Sequence, residues 1–364
     1  MIKIAEPNVN DQDIESVIKA LQETQLSGRS PICKQFEDEY AKKFNVKHAI
    51  AVNSGTSALF LSMKAMGIGE GDEVIVPSYA FMAVPNAVVH TGAKPIFVDS
   101  DIASYNIDPF KVKNAITSKT KAIIAVHTYG YPCNMDTLLS YGIPVIEDAA
   151  EAHGALYKGK IVGSIGKVGC FSFFANKTIT TGEGGMVTTN DDILAEEIRK
   201  LKDQYNGPVR YKHDKIGYGM SLGALQCALG LSQLKRLDEL VQTKIEIANR
   251  YNAALKDLVL TPYPVGDIKH SYWMYNIKAP IELYNYLARF IEVRPSFYPL
   301  HWQEPYKQDG FPMTEWLYKV SFCLPMSTTM TLDEQNYVIK KIFDFYNERG
   351  TISLVNKGEK PMTE

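Results

Sequence analysis

Residues 48–98 read HAIAVNSGTSALFLSMKAMGIGEGDEVIVPSYAFMAVPNAVVHTGAKPIFV. Three short runs rich in β-branched residues, His48–Val52, Glu73–Val76 and Lys94–Val98, are separated by stretches of helical periodicity, the first running from Asn53 to about Met66. Strand-like runs alternating with helices are the pattern of a sheet with helices packed on its faces, so the fold class is α/β. The series continues at Lys121–Val126, Ile143–Glu147, Val168–Phe173 and Gly185–Thr189, which brings seven strands into one large sheet.

Upstream, Asp11–Glu23 reads as an amphipathic helix and Ser30–Phe44 as another with Pro31 in its first turn, where proline is tolerated; together they predict an N-terminal arm. Downstream, Ala224–Lys256 reads as one long helix. Shorter elements at Tyr272–Ile277, Leu283–Ile291 and Leu332–Asn347 predict a second, smaller domain. The expected division is 1–250 and 251–364, with the boundary near residues 240–255 and Gly350–Glu364 as a peripheral extension.

Composition narrows the function classes. The 364 residues are 45% hydrophobic and 22% charged, which excludes a disordered chain or a coiled coil. Lys plus Arg (39) against Asp plus Glu (41) leaves a net charge of −2, so nothing in the charge calls for nucleic acid or anionic lipid, and a small-molecule partner is expected. No apolar run approaches the ~20 residues of a membrane span, and the start lacks a signal-peptide layout, so the expected location is cytoplasmic. Five scattered cysteines without a CxxC read as free thiols, and His127 and Cys133 show no metal spacing.

Three stretches carry chemistry. Asn53-Ser54-Gly55-Thr56-Ser57-Ala58-Leu59 follows a strand and opens a helix, where free N–H groups and the macrodipole favour an anion such as phosphate; a plain N-cap is the ordinary use of the same residues. Pro144–Gly154 (PVIEDAAEAHG) is a buried strand ending in carboxylates at the edge where open α/β sheets place ligands, so Asp148 is set to face a cofactor. An Asp at a strand end is also a common cap, and a lone His153 is more often a hydrogen-bonded loop histidine than a base. In Cys170–Val187 an aromatic strand runs into Lys177 before a glycine-rich turn, and desolvation there would lower the lysine's pKa and make it nucleophilic. Gly182, Gly184 and Gly185 precede a strand and Gly67-Ile68-Gly69-Glu70-Gly71 links a helix to a strand, so neither fits a dinucleotide fingerprint.

Taken in order, these stretches resemble the DegT/DnrJ/EryC1/StrS sugar aminotransferases, fold-type I enzymes dependent on pyridoxal phosphate. The resemblance covers nearly the whole chain: Phe36-Glu37, Ser54–Leu59, Gly71–Ser78, Gly92–Asp99, Glu147–Gly154, Asn176-Lys177, Thr181–Gly185 and Phe297-Tyr298-Pro299-Leu300-His301. It implies a seven-stranded mixed sheet flanked by helices plus a smaller C-terminal α/β domain. Within the family, Ser271–Tyr275 and Gly182–Asp191 are most similar to perosamine- and viosamine-type 4-aminotransferases, which implies a nucleotide-linked 4-keto-6-deoxy sugar as acceptor, L-glutamate as amino donor, a pyridoxamine intermediate and a homodimer.

The resemblance also assigns roles. Lys177 matches the lysine that bonds the cofactor and shuttles protons, and Asp148 the carboxylate that keeps the pyridine nitrogen protonated. Thr56, Ser57 and Ser172 match phosphate binders, Phe81 the aromatic that stacks on the ring, and Tyr298 and His301 the substrate side. Glu151 stands where many members carry Gln near the ring hydroxyl. One departure stands out: Gly217-Tyr218-Gly219-Met220-Ser221 replaces the usual Gly-Tyr-Asn-Tyr-Arg, so the Asn that reaches the partner's cofactor phosphate and the Arg on the substrate side are both missing. Lys215 and Arg210 on the same loop are the candidate substitutes. Related dehydratases that share this fold replace the lysine with histidine, and Lys177 argues against that reading. A catalytically silent sugar-nucleotide sensor is the other alternative.

Overall fold

The structure, a computed structural model, describes residues 1–209 and 211–349. Two helices open it, α1 (Asp11–Gln22) and α2 (Pro31–Lys43); Asn10 and Asp13 cap the first reciprocally, and Pro31 starts the second. Then follow β1 (His48–Val52), α3 (Gly55–Ala65), β2 (Glu73–Pro77), α4 (Ala83–Thr91), β3 (Lys94–Val98), α5 (Pro109–Ala115), β4 (Thr120–Val126), α6 (Met135–Ser140) and β5 (Val145–Asp148). A small hairpin, β6 (Leu156–Tyr157) and β7 (Lys160–Ile161), precedes β8 (Val168–Ser172), β9 (Gly185–Thr189) and α7 (Asp192–Lys202). The remainder is α8 (Ala224–Lys235), α9 (Leu237–Leu255), β10 (Ile268–Lys269), β11 (Tyr275–Lys278), α10 (Ile281–Leu287), β12 (Arg294–Pro295), α11 (Pro312–Val320), β13 (Ser321–Leu324) and α12 (Leu332–Glu348).

The seven runs read from the sequence are the seven strands of one sheet, ordered β1-β9-β8-β5-β4-β2-β3, with ends shifted by one or two residues in four of them. β9 runs against β1 and β8 while the other pairs are parallel, which makes the sheet mixed. Alternate side chains feed two different cores. Ala49, Ala51, Ile75, Ile123 and Ala125 face the layer of α2, α5, α6, α8 and the start of α9. Ile50, Val52, Val74, Val76, Ile124 and Val126 face α3, α4 and α7. Both faces being covered explains why the parallel strands read as continuous apolar runs; full burial of each Val or Ile stabilises the fold by roughly 1.5–3 kcal/mol.

Tertiary contacts decide three features of this frame, the first against expectation. The long helix Ala224–Lys256 is broken at Arg236, whose φ of −100° and ψ of 3° separate α8 from α9. No proline or glycine marks the break. Arg236 instead turns its guanidinium inward to the buried Asp13 (2.8 Å) and to the Asn8 carbonyl (2.9 Å). α1 and α2, read from the sequence as an N-terminal arm, pack on α8. Finally, Ile2 and Ile4 sit with the C-terminal part of the chain, where the Glu292 N–H donates to the Ile2 carbonyl (2.9 Å) and the Met326 N–H to the Ile4 carbonyl (2.8 Å).

That C-terminal part is an antiparallel sheet, β11-β13-β12, with a core drawn from Ile247 through Tyr346. The change of core occurs inside α9: Leu237, Leu240 and Val241 serve the first, and Ile247, Ala248, Tyr251 and Leu255 the second. The extension Gly350–Glu364 lies outside the described residues. Among the described residues, no helix is long and apolar enough to cross a membrane, and all five cysteines are free and buried.

Glu37 ties this frame to the end of β1. Burial pushes its carboxyl up, but Lys202 and Arg199 outweigh burial and hold it below the ordinary range. It accepts from Arg199 Nη1 (2.6 Å), Lys202 Nζ (3.0 Å) and the Ala51 N–H (2.9 Å), so α2, α7 and β1 share one buried ionic knot just before the Ser54 turn.

Candidate active site

A cavity of about 490 Å³ opens at the carboxyl ends of β1, β5 and β8, the position open α/β sheets favour for ligands. Its walls include Ser54, Gly55, Thr56, Phe81, Asp148, Glu151, Ser172, Lys177, Trp273, Arg294 and Phe297. Thus Thr56, Phe81, Asp148, Glu151, Ser172 and Lys177, all singled out in the sequence, come together.

One end of the cavity is the start of α3. Ser54 caps the helix by accepting the Ser57 N–H (3.0 Å), and its Oγ also pairs with Ser57 Oγ (2.9 Å), so Ser57 supports the turn and does not line the cavity. The Gly55 and Thr56 N–H groups are not taken up by that cap. Gly55 is required here: a Cβ would stand 2.9 Å from Ser172 Cβ and push the β8 end away. The result is a set of hydroxyls and helix-start N–H groups suited to a phosphate.

At the other end stand the ionisable groups. Asp148 is buried at the tip of β5, where burial pushes its carboxyl up while the Ala150 N–H (3.1 Å) and the charges of Lys177 and His127 pull it down. It therefore closes a local turn and faces the cavity at once. Lys177 is held by a turn from its N–H to the Phe174 carbonyl (2.9 Å), with Nζ 3.8 Å from the centre of the Trp273 ring and 3.7 Å from Glu151 Oε1. Burial lowers its pKa, against the opposing pull of Glu151 and Asp148. Burial likewise pushes Glu151 up to about 7, although Lys177 and the Tyr129 N–H (2.8 Å) favour its charged form. Burial thus moves both members of this pair toward neutrality.

That shift makes a stability prediction. Glu151 is raised above its ordinary carboxyl value, so its contribution is present in full below about pH 4.5 and is lost as the pH rises through about 7. Glu151→Gln keeps an acceptor for the Tyr129 N–H and has no charge to bury. We expect it to stabilise the cofactor-free protein by about 1–3 kcal/mol at pH 8 and to have little effect at pH 5. Urea unfolding at the two pH values checks this, and an equal gain at both would contradict the assigned cause.

Other expectations land elsewhere. His301 is fully buried with its ring 4.5 Å from that of Phe311 and Nε2 3.5 Å from Glu315 Oε1, because the turn Leu300–Trp302 carries it inward. Tyr298 packs on Trp302 and Tyr318; Phe297, one residue earlier, is the member of that motif that lines the cavity. His153 is neither a loop histidine with a partner nor a base: wedged among Phe44, Phe171 and Phe173 with both ring nitrogens unpartnered among the described residues, it is pushed down to about 3 by burial and by Lys177.

Around the departing motif, the Asn53 N–H donates to the Met220 carbonyl (2.9 Å) and Ser221 bridges to Val52, so Met220 and Ser221 lie against the β1 end of their own chain. Lys215, a proposed substitute for the missing Asn, is engaged by Glu197 (3.2 Å). Arg210 lies outside the described residues. Trp273 and Arg294 carried no assigned role in the sequence. Trp273 stood inside a quoted motif, whereas a single arginine in a short strand gave no signal.

These features fit pyridoxal phosphate: an anion site at a helix start, a buried carboxylate, a desolvated lysine, and Phe81, which at 62% exposure offers a bare aromatic face at the cavity. Comparisons with known proteins agree. The model of the DegT/DnrJ/EryC1/StrS aminotransferase family matches residues 7–343. A GDP-perosamine synthase of Escherichia coli O157:H7 is 40% identical over 361 residues, covering 96% of this chain and 99% of that protein. The spore coat polysaccharide biosynthesis protein SpsC of Bacillus subtilis is 39% identical over 371 residues, 93% and 95% of the two chains. A crystal structure of a DegT DnrJ EryC1 StrS aminotransferase from Brucella abortus superposes with a TM-score of 0.89 at 31% identity, covering 92% of this chain and 95% of that one. The chain belongs to the DegT/DnrJ/EryC1/StrS aminotransferase family, as a sugar aminotransferase that uses pyridoxal phosphate.

Proposed function

We propose that the protein moves the amino group of L-glutamate, through the pyridoxamine form of the cofactor, to C4 of a nucleotide-linked 4-keto-6-deoxyhexose, giving a perosamine- or viosamine-type product in the cytoplasm. The observation that carries this reading is the placement of Lys177, its Nζ against Trp273 and Glu151, in a cavity that Asp148 also lines. Bound pyridoxal phosphate supplies the electron sink that lets an amino group leave one carbon and join another.

The chain's own groups do the rest. Thr56, Ser172 and the start of α3 hold the phosphate. Asp148 would set a negative charge against the ring nitrogen of the bound cofactor, and a cation there would favour its ionised form. Lys177, with its pKa lowered, moves the proton at the reacting carbon in both half-reactions, and Glu151 steadies its charge between them. The active unit in this reading is a homodimer. Support comes from the bare apolar side chains at the cavity, Phe81 (62% exposed) and Phe174 (45%), and on the loop after α7, Ile216 (85%) and Val209 (59%).

A panel of GDP-, UDP- and dTDP-linked 4-keto-6-deoxy sugars assayed with L-glutamate tests the proposal. The expected product gains one amino group at C4 for every glutamate consumed, from a particle with the mass of two chains. Amination at C3 alone, or no turnover with any 4-keto sugar, would overturn it.

A further inference from the structure

Lys244 is buried on α9 and does not line the cavity, yet it is tied to one of the cavity's walls. Its Nζ donates to the Trp273 carbonyl (3.3 Å) and to the Met326 carbonyl (2.9 Å). Among the described residues no carboxylate lies within 4 Å of it, and burial alone pushes its pKa down to about 7. A lysine taken out of water without a counter-ion is costly, and packing alone would be served as well by a methionine. Two acceptors engage two N–H groups, which the neutral amine also carries, so the clamp holds in either protonation state.

On α9, Lys244 stands between Val241, which serves the first core, and Ile247, which serves the second. It joins α9 to the turn that presents Trp273 and to the stretch after β13, whose Met326 N–H donates to the Ile4 carbonyl (2.8 Å). The Trp273 turn is strained. Tyr272 has a φ of 51°, a left-handed conformation that a non-glycine residue keeps only where its surroundings enforce it. The Ser271 N–H fixes the turn before Tyr272 by donating to the Gly130 carbonyl (3.1 Å), and Lys244 fixes it after. The indole then donates to the Asn176 carbonyl (2.8 Å), stacks with Tyr129 (6.3 Å between ring centres) and stands 3.8 Å from Lys177 Nζ.

We propose that Lys244 is a positioning residue: by holding the Trp273 carbonyl it keeps the indole against Lys177 and confines the amine that moves the proton. This rests on the role proposed for Lys177. With the indole displaced, Nζ loses one of the two groups that bound its movement, the other being Glu151 at 3.7 Å. A shift of about 1 Å in a reacting group, caused from outside the site, costs on the order of 10²-fold in rate.

The test uses the full-length, cofactor-loaded enzyme as parent, Lys244→Met and Lys244→Arg, with Lys244→Met also combined with Trp273→Ala. Absorbance of the bound cofactor follows one round with L-glutamate. Acrylamide quenching is read in a Trp302→Phe/Trp316→Phe background, where Trp273 is the single tryptophan. Lys244→Met should slow the glutamate step about 10- to 100-fold while the half-saturating glutamate concentration stays within about threefold, and should expose Trp273 to acrylamide. Lys244→Arg, which keeps N–H donors, should recover most of both. On Trp273→Ala the Lys244→Met loss should shrink to about twofold or less, since no indole is left to hold. Should Lys244→Met fail to fold, Lys244→Gln, too short to reach both carbonyls, takes its place. The proposal is overturned if rate and quenching match the parent while only the melting temperature falls, or if the loss is as large on Trp273→Ala. A parent whose cofactor absorbance does not respond to L-glutamate would refute the donor reading, and Lys244 would then stand or fall on the quenching alone.

Discussion

Lys177→Ala should reduce turnover by about 10⁴-fold or more, since in the proposed reaction one side chain bonds the cofactor and carries the proton, and general acid–base catalysis alone is worth roughly 10²–10⁴. The only carboxylate within 4 Å of Nζ among the described residues is Glu151, at 3.7 Å, and its Oε2 is held by the Tyr129 N–H. Nothing else is placed to take over. The fold should survive, because removing a desolvated ammonium also removes the cost of burying it. Glu151, left without its cation, rises further and becomes neutral. Steady-state rates and a thermal melt check both halves of the expectation, and activity within tenfold of the parent would remove Lys177 from its role.

Asp148→Asn should cost about 10²–10⁴ in rate while the cofactor stays bound, the scale expected when a group that sets the reactive charge is lost. Asn keeps the size of the side chain and the acceptor for the Ala150 N–H, so the turn after β5 persists. Thr56, Ser172 and the α3 start, proposed to hold the phosphate, are untouched. What disappears is the negative charge. Rate per bound cofactor is therefore the quantity to measure. If cofactor were lost while that rate stayed constant, Asp148 would be an anchor rather than an electrostatic partner.

The Arg236 break and the inward turn of His301 show where sequence reading stops. Neither has a local signal. Arg236 occupies a stretch whose helical pattern continues unbroken, and partners far upstream, the buried Asp13 of α1 and Asn8, draw its guanidinium off the helix path. His301 follows a motif whose family likeness places it beside the substrate, yet the short turn after Pro299 directs its ring onto Phe311. In each case the deciding partner lies outside the sequence window that sets the periodicity.

What the sequence by itself determined is the set of groups whose positions follow from strand and helix ends. Seven apolar runs specify seven strands, because alternate side chains must reach two different helical layers. Residues at the carboxyl ends of those strands, Asp148 and Ser172, and at the first turn of α3, Thr56, then converge without further instruction. Tertiary structure alone decided the opposite wall. Trp273 reaches Lys177 through its indole N–H to the Asn176 carbonyl (2.8 Å), and Arg294 arrives on a two-residue strand. It also set the electrostatics, raising Glu151 and lowering Lys177. The reason is physical: periodicity records which face of an element is apolar, whereas desolvation and charge coupling depend on which distant segments close over a group.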